Sequence, residues 1–196
     1  MKKRISLTAF IVPAILLQSC IITQTPGFYS GYSRLPEDEK EKIVFLNTND
    51  TVRSLKKENR LYAVTGELLR KCIETEEKAM VYIWSPFCSS DRCYPLFYVQ
   101  SYCNSRGITL YVVAEYYDSN RMQTEQKNIS APVVSVNEKH YGTGYCRRYM
   151  KLFIGDLLGK DTHSLSEEER YSSIYLFNSG KPVPCSSILE GDEAVK

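Results

Sequence analysis

The stretch Val81–Leu96, VYIWSPFCSSDRCYPL, places two cysteines five positions apart directly after an apolar run. A pair at that spacing can exchange with other disulfides, contribute to a metal site, or form a fixed crosslink. Exchange requires a thiolate, so the attacking cysteine needs a lowered pKa and some exposure. A helix N-terminus supplies partial positive charge and unpaired amide donors. Cys88 is expected at such a start, with Arg92 adding a cation nearby and Asp91 opposing it. Cys93 would then be the resolving thiol, one turn or more into the helix and shielded. Inside one regular helix, five residues of rise alone would separate the two Cα atoms by about 7.5 Å. That exceeds disulfide reach. Either Ser89–Arg92 forms a loop, or the first helical turn unwinds on oxidation. A metal use has little support: the two histidines, His140 and His163, lie in no recognisable ligand motif. No metal and no cofactor is expected.

The pair needs elements to hold it. Ala79–Trp84 reads as a buried strand leading into the motif, and Trp84 as core or a wall of the site. Pro95–Arg106 reads as a helix, begun there or earlier with Ser89, Ser90 or Asp91 as its cap. Gly107 stops it. Ile108–Tyr117 is a strong strand. Upstream, Lys42–Asn47 reads as a short strand, and Leu61–Glu77 has helical spacing, with Leu61, Val64, Leu68, Leu69 and Cys72 on one side. Downstream, the stretch APVVSVN reads as a short strand and Thr143–Leu158 as an amphipathic helix stopped by Gly159. Ser166-x-x-Glu169 has capping-box form. SSIYLFNSGKPV reads as a hairpin turning at Asn178–Gly180. Helices alternating with strands and closed by a hairpin make an α/β domain: a central mixed sheet with helices on both faces.

The N-terminus, MKKRISLTAFIVPAILLQSC, has a positive start and a short apolar run broken by Pro13. It reads as an export signal rather than a membrane span. Leu17-Gln18-Ser19-Cys20 resembles the bacterial lipobox, which implies acylation of Cys20 after removal of residues 1–19. The expected consequence is a lipid anchor in the cell envelope, facing periplasm or exterior. Residues 20–41 are then a membrane-proximal tether and 42–196 the domain, with a helical insertion near 138–170. Loss of Lys2, Lys3 and Arg4 leaves 22 basic against 23 acidic side chains, about −1. That balance has no basic stripe, so no nucleic-acid partner is expected. Seven cysteines less the anchor leave six, Cys72, Cys88, Cys93, Cys103, Cys146 and Cys185, which allow fifteen connectivities. Cys72, Cys103 and Cys146 fall on apolar helical faces and read as core.

The element order is similar to the thioredoxin fold, and local residues agree. YIWSPFC resembles the strand-to-helix turn of membrane-tethered thioredoxins of the TlpA and ResA type, with Trp84 four residues before Cys88 and Phe87 directly before it. SSIYLFNSGKPV is similar to the last hairpin of thioredoxins, with Phe177 and Gly180 in a Phe-x-x-Gly turn. The resemblance covers roughly Leu61–Cys185. It departs in two places: the cysteine spacing is Cys-x₄-Cys, and the position aligned with the family's cis-proline is Ser172. The resemblance implies thiol–disulfide exchange through Cys88 and Cys93, with Trp84, Phe87 and Ser172 as walls of the site and a thiol or disulfide protein as partner. A redox-inactive envelope module that binds a partner is the alternative. SPFC also resembles the Thr-Pro-x-Cys of peroxiredoxins, but Val81 stands where that family has proline. A peroxidase is therefore the lesser reading.

The lipobox resemblance generates the first test: Cys20→Ser should abolish metabolic lipid labelling and release the protein from membranes. Unchanged labelling of that variant would exclude Cys20 as the acylation site.

Overall fold

The computed structural model describes residues 27–47, 49–52, 55, 60–90, 93–184 and 189. Residues 1–26, including Cys20, lie outside the described residues, as do Asp91, Arg92 and Cys185.

The elements in chain order are α1 (Glu37–Lys40), β1 (Ile43–Phe45), β2 (Leu61–Val64), α2 (Gly66–Ile73), β3 (Lys78–Trp84), α3 (Leu96–Ser105), β4 (Thr109–Ala114), α4 (Ser119–Asn128), β5 (Val133–Val136), α5 (Cys146–Leu158), α6 (Glu167–Tyr171), β6 (Ile174–Asn178) and β7 (Lys181–Pro182). The strands form one seven-stranded sheet in the order β1-β2-β5-β4-β3-β6-β7. β1, β2, β5, β4 and β3 run parallel, and β6 and β7 continue the sheet antiparallel. Val81–Trp84, Leu110–Val113 and Ile174–Phe177 are therefore neighbours in one sheet, with β3 in the middle.

The period-2 alternation of a strand sends successive side chains to opposite faces, and both faces are apolar here. Val81, Tyr111, Val113, Val134 and Phe177 meet Leu68, Leu69 and Ile73 of α2 and Phe153, Ile154 and Leu157 of α5. Met80, Tyr82, Trp84, Val112 and Ala114 meet Leu96, Val99 and Cys103 of α3 and Met122 of α4. The protein is thus a mixed α/β fold with helices on both faces of its sheet.

Three elements differ from the sequence reading. Leu61–Val64 is strand β2, not the start of a helix. Leu61 and Val64 fit either period, but Thr65 breaks the run by capping: its side chain accepts from the Leu68 amide at 3.1 Å, and the helix starts at Gly66. α4 was not anticipated. Its sequence, SNRMQTEQKN, carries one apolar side chain, Met122, and no stripe. The available signal was Asp118, which caps it through the Arg121 amide at 2.9 Å. Finally, residues 27–41, expected as part of a tether, pack on the domain. Tyr29 bridges Tyr145, the Ser30 amide donates to Gly144 O at 2.8 Å, and the Tyr117 amide donates to Ser30 O at 2.6 Å. The Tyr32 ring lies against Phe45 and Tyr117. The stretch near 138–170 holds α5 and α6, which carry the chain from β5 to β6.

The Asn178–Lys181 hairpin closes through Ser179 and Gly180, both at positive φ (48° and 73°). That pair of left-handed residues matches the right-handed twist of the flanking strands. The α2–α5 contact is closer still. A Cβ at Gly66 would lie 2.1 Å from Phe153 O and 2.7 Å from the Leu157 amide. Both are helix backbone, which cannot yield locally. Gly66→Ala should therefore destabilise the domain by about 3 kcal/mol, read as a lower urea midpoint. A midpoint within error of the parent would show that the two helices can separate freely.

Candidate functional site

Cys88 and Cys93 are joined by a disulfide, with Cα atoms 6.0 Å apart. They reach each other ahead of the helix that follows them. Tyr94 precedes a proline, which disfavours helix at that position, and Pro95 occupies the N-cap of α3. The helix consequently begins at Leu96, after both cysteines. Two turns fold the loop back: the Cys88 amide donates to Ser85 O and the Cys93 amide to Ser90 O, each at 3.0 Å. The spacing allowed a loop or a first turn that unwinds on oxidation, and the oxidised pair seen here fits both. In this disulfide-bonded state both cysteines precede α3, where Cys88 had been expected at a helix start and Cys93 inside the helix. Cys88 is exposed and Cys93 half-buried.

The pair lies beyond the C-terminal end of β3, where open α/β sheets gather ligand sites. Trp84, 9% exposed, joins both cysteines, Tyr94, Arg121 and Glu125 in lining a groove of about 460 Å³. Trp84 is therefore both core and wall. Cys93 also faces a second hollow with Ser172, Glu115, Arg170 and Tyr171. Ser172 is held by the first residue of β6: its hydroxyl donates to Ile174 O at 2.8 Å and accepts from the Ile174 amide. Its neighbouring peptide bonds are trans, as are all others among the described residues.

Phe87 is 48% exposed yet fixed on two sides. Its ring stacks on Tyr116 at 6.2 Å and lies 4.2 Å under the Arg121 guanidinium. Its amide donates to the Tyr116 hydroxyl at 2.9 Å. Arg121 in turn donates to Pro86 O. Burial holds the Tyr116 phenol above its ordinary pKa. At the end of β4, the Glu115 carboxylate accepts a hydrogen bond from Ser85. Ser90 in the loop places its hydroxyl 3.4 Å from Cys88 Sγ and 3.5 Å from Cys93 Sγ.

Sequence reasoning brought forward Cys88, Cys93, Trp84, Phe87 and Ser172, and the fold gathers all five at this end of the sheet. It missed Arg121, Tyr116 and Glu115 as neighbours of the pair. Arg121 lies on the unanticipated α4. Glu115 and Tyr116 directly follow β4, and that position is the signal that could have found them. His140 packs edge-on against Tyr141, and His163 lies in the Asp161–Ser164 turn. Among the described residues no group of three or more His, Cys, Asp or Glu is placed to hold a metal ion, and no helix is long and apolar enough to cross a membrane.

The other described cysteines are unpaired: Cys72 half-buried, Cys103 and Cys146 buried. Cys103 Sγ lies 3.6 Å from Met80 Sδ. Cys146 Sγ lies 2.9 Å from the Tyr149 hydroxyl, whose own proton goes to Glu115 O, so the thiol is the donor between them. Burial pushes both thiols from 9.0 up to about 12.

No family model matches the chain, and neither the curated proteins nor the solved structures contain a match to it.

The two buried thiols generate a pH prediction. Between about pH 9 and 12 the folded chain holds protons that the unfolded chain has lost, so stability falls as pH rises through that window. Replacing Cys103 and Cys146 with alanine should flatten that fall in urea titrations at pH 8 to 11, even as lost packing lowers stability at every pH. An unchanged slope would show that other groups govern alkaline unfolding.

Proposed function

We propose that the chain is a lipid-anchored, thioredoxin-like protein of the bacterial cell envelope that exchanges disulfides with a partner protein through Cys88 and Cys93. The observation that carries the reading is the placement of the pair: an exposed Cys88, joined to a half-buried Cys93, beside a groove at the C-terminal edge of a parallel sheet. Exchange needs an approach path to one sulfur and a second thiol within reach to resolve the intermediate. Parallel strands joined by helices, with a closing antiparallel hairpin beside β3, support the thioredoxin-like assignment.

The chemistry balances with a dithiol partner. A partner thiolate attacks Cys88 Sγ, the S–S bond breaks, and its electron pair leaves on Cys93 Sγ. The second partner thiol, deprotonated, attacks the mixed disulfide and expels the Cys88 thiolate. The partner has lost two electrons and gained a disulfide, and Cys88 and Cys93 have become thiols by taking up two protons. The reverse sequence begins with the Cys88 thiolate and reduces a partner disulfide.

A second reading, a redox-inactive binding module, draws on the aromatic surface around the pair. Phe87 and Tyr29 border one hollow, Tyr171 another, and Phe97 is the second residue of α3, all exposed. Exposed aromatic residues beside arginine are frequent at protein interfaces, and Arg121 and Arg147 lie over Phe87 and Tyr171.

Trapping separates the two readings. Cys93→Ser should accumulate mixed disulfides through Cys88 in envelope extracts, seen on non-reducing gels and lost on reduction. Cys88→Ser should accumulate few. If neither variant traps a partner while the parent still co-purifies with one, the binding module replaces exchange.

A further inference from the structure

In the disulfide-bonded state both cysteines precede α3, so no helix start lies at Cys88. α3 begins only at Leu96. What lies against the sulfurs instead is a side chain from the loop itself. Ser90 Oγ is 3.4 Å from Cys88 Sγ and 3.5 Å from Cys93 Sγ, while its carbonyl accepts from the Cys93 amide at 3.0 Å. One hydroxyl is thus within hydrogen-bonding distance of both reacting atoms and is tethered to one of them through the main chain.

We propose that Ser90 is a catalytic hydrogen-bond donor that stabilises whichever sulfur carries the negative charge. This deepens the exchange reading and rests on it. A disulfide sulfur is a weak acceptor, whereas a thiolate makes a charge-assisted hydrogen bond. The interaction therefore strengthens as the S–S bond breaks, which is the condition for lowering a barrier. When a partner thiolate attacks Cys88, charge develops on Cys93 Sγ and the hydroxyl turns to it. When the mixed disulfide resolves, charge develops on Cys88 Sγ and the same hydroxyl turns back. No proton leaves Ser90 in either step.

Other charged and titratable groups face the same two hollows. Arg121 of α4 is held by Pro86 O and the Phe87 ring, and Glu125 lines the groove with both cysteines. Glu115 after β4 accepts from Ser85, and Arg170 of α6 borders the hollow on the Cys93 side together with Tyr82, Tyr171 and Tyr175. The Tyr94 hydroxyl accepts from the Leu189 amide. Asp91 and Arg92 are common to every variant in the test.

The test is site-resolved alkylation of the reduced full-length protein across pH, read by mass spectrometry. Cys88 is followed in a Cys93→Ser background and Cys93 in a Cys88→Ser background. A hydrogen bond to a charged group is worth enough to move a thiol pKa by about one unit. Ser90→Ala should therefore raise the midpoint for both cysteines by about one pH unit and slow alkylation near pH 7 about tenfold. Ser90→Thr should keep the parent midpoint, because it keeps the hydroxyl. Ser89→Ala should also leave it unmoved, which separates loss of the donor from loosening of the loop. Coincident profiles for the parent and Ser90→Ala would overturn the proposal, as would an equal shift from Ser89→Ala. The measurement involves no partner protein. A failure of partner trapping would count against the exchange reading, whereas unchanged midpoints with trapping intact would count against Ser90 alone.

Discussion

Strand β3 is the member on which the rest is built. Both of its edges are hydrogen-bonded, to β4 in parallel register and to β6 antiparallel. Both of its faces are buried, Val81 against α2 and α5, Met80 and Tyr82 against the α3 side. A strand so enclosed has no freedom to slip, because a shift of one residue would exchange every side chain between the two cores. Its last residue, Trp84, therefore emerges at a fixed height and angle, and Ser85 to Cys88 follow within one turn. The disulfide that follows is thereby held on a rigid base.

That rigidity passes through a proline. Pro95 sets where α3 begins, and by doing so leaves the cysteines outside the helix. Without that stop, a continuous helix would have kept their Cα atoms beyond bonding distance. With it, the two successive turns at Ser85 and Ser90 bring the sulfurs together. The surrounding clamp is aromatic and cationic: Tyr116 beneath Phe87, Arg121 above it, and a main-chain bond from each to the Pro86–Phe87 segment. Half-exposed as it is, Phe87 is not a loose surface ring.

Much of the sheet was legible from the chain because its strands are apolar and bounded by turn residues. Ala79–Trp84 and Ile108–Tyr117 could hardly be anything else, and Asn178-Ser179-Gly180 marks its own hairpin. Leu61–Val64 was misread because four residues carry too little periodicity to choose between strand and helix. α4 was invisible because it contributes one core side chain and is otherwise solvated. The site was half legible for the same reason. Residues adjacent to the cysteines in sequence could be named, but Arg121, Glu115 and Tyr116 come to them through folding over distances that no local pattern encodes. That α3 would start after both cysteines was legible in the Tyr94-Pro95 step.

The docked N-terminal segment has a consequence for biosynthesis. Phe28 and Ser30 are bound by main-chain groups of Tyr117, Gly144 and Cys146. A polypeptide made from its N-terminus outward presents residues 27–41 well before these partners. The set of main-chain partners is complete only once the ribosome has added Cys146, more than a hundred residues later. The segment is translated early, and its docking site is completed late. Throughout that interval, whatever enzymes act on the leading end of the nascent chain meet it without competition from the fold.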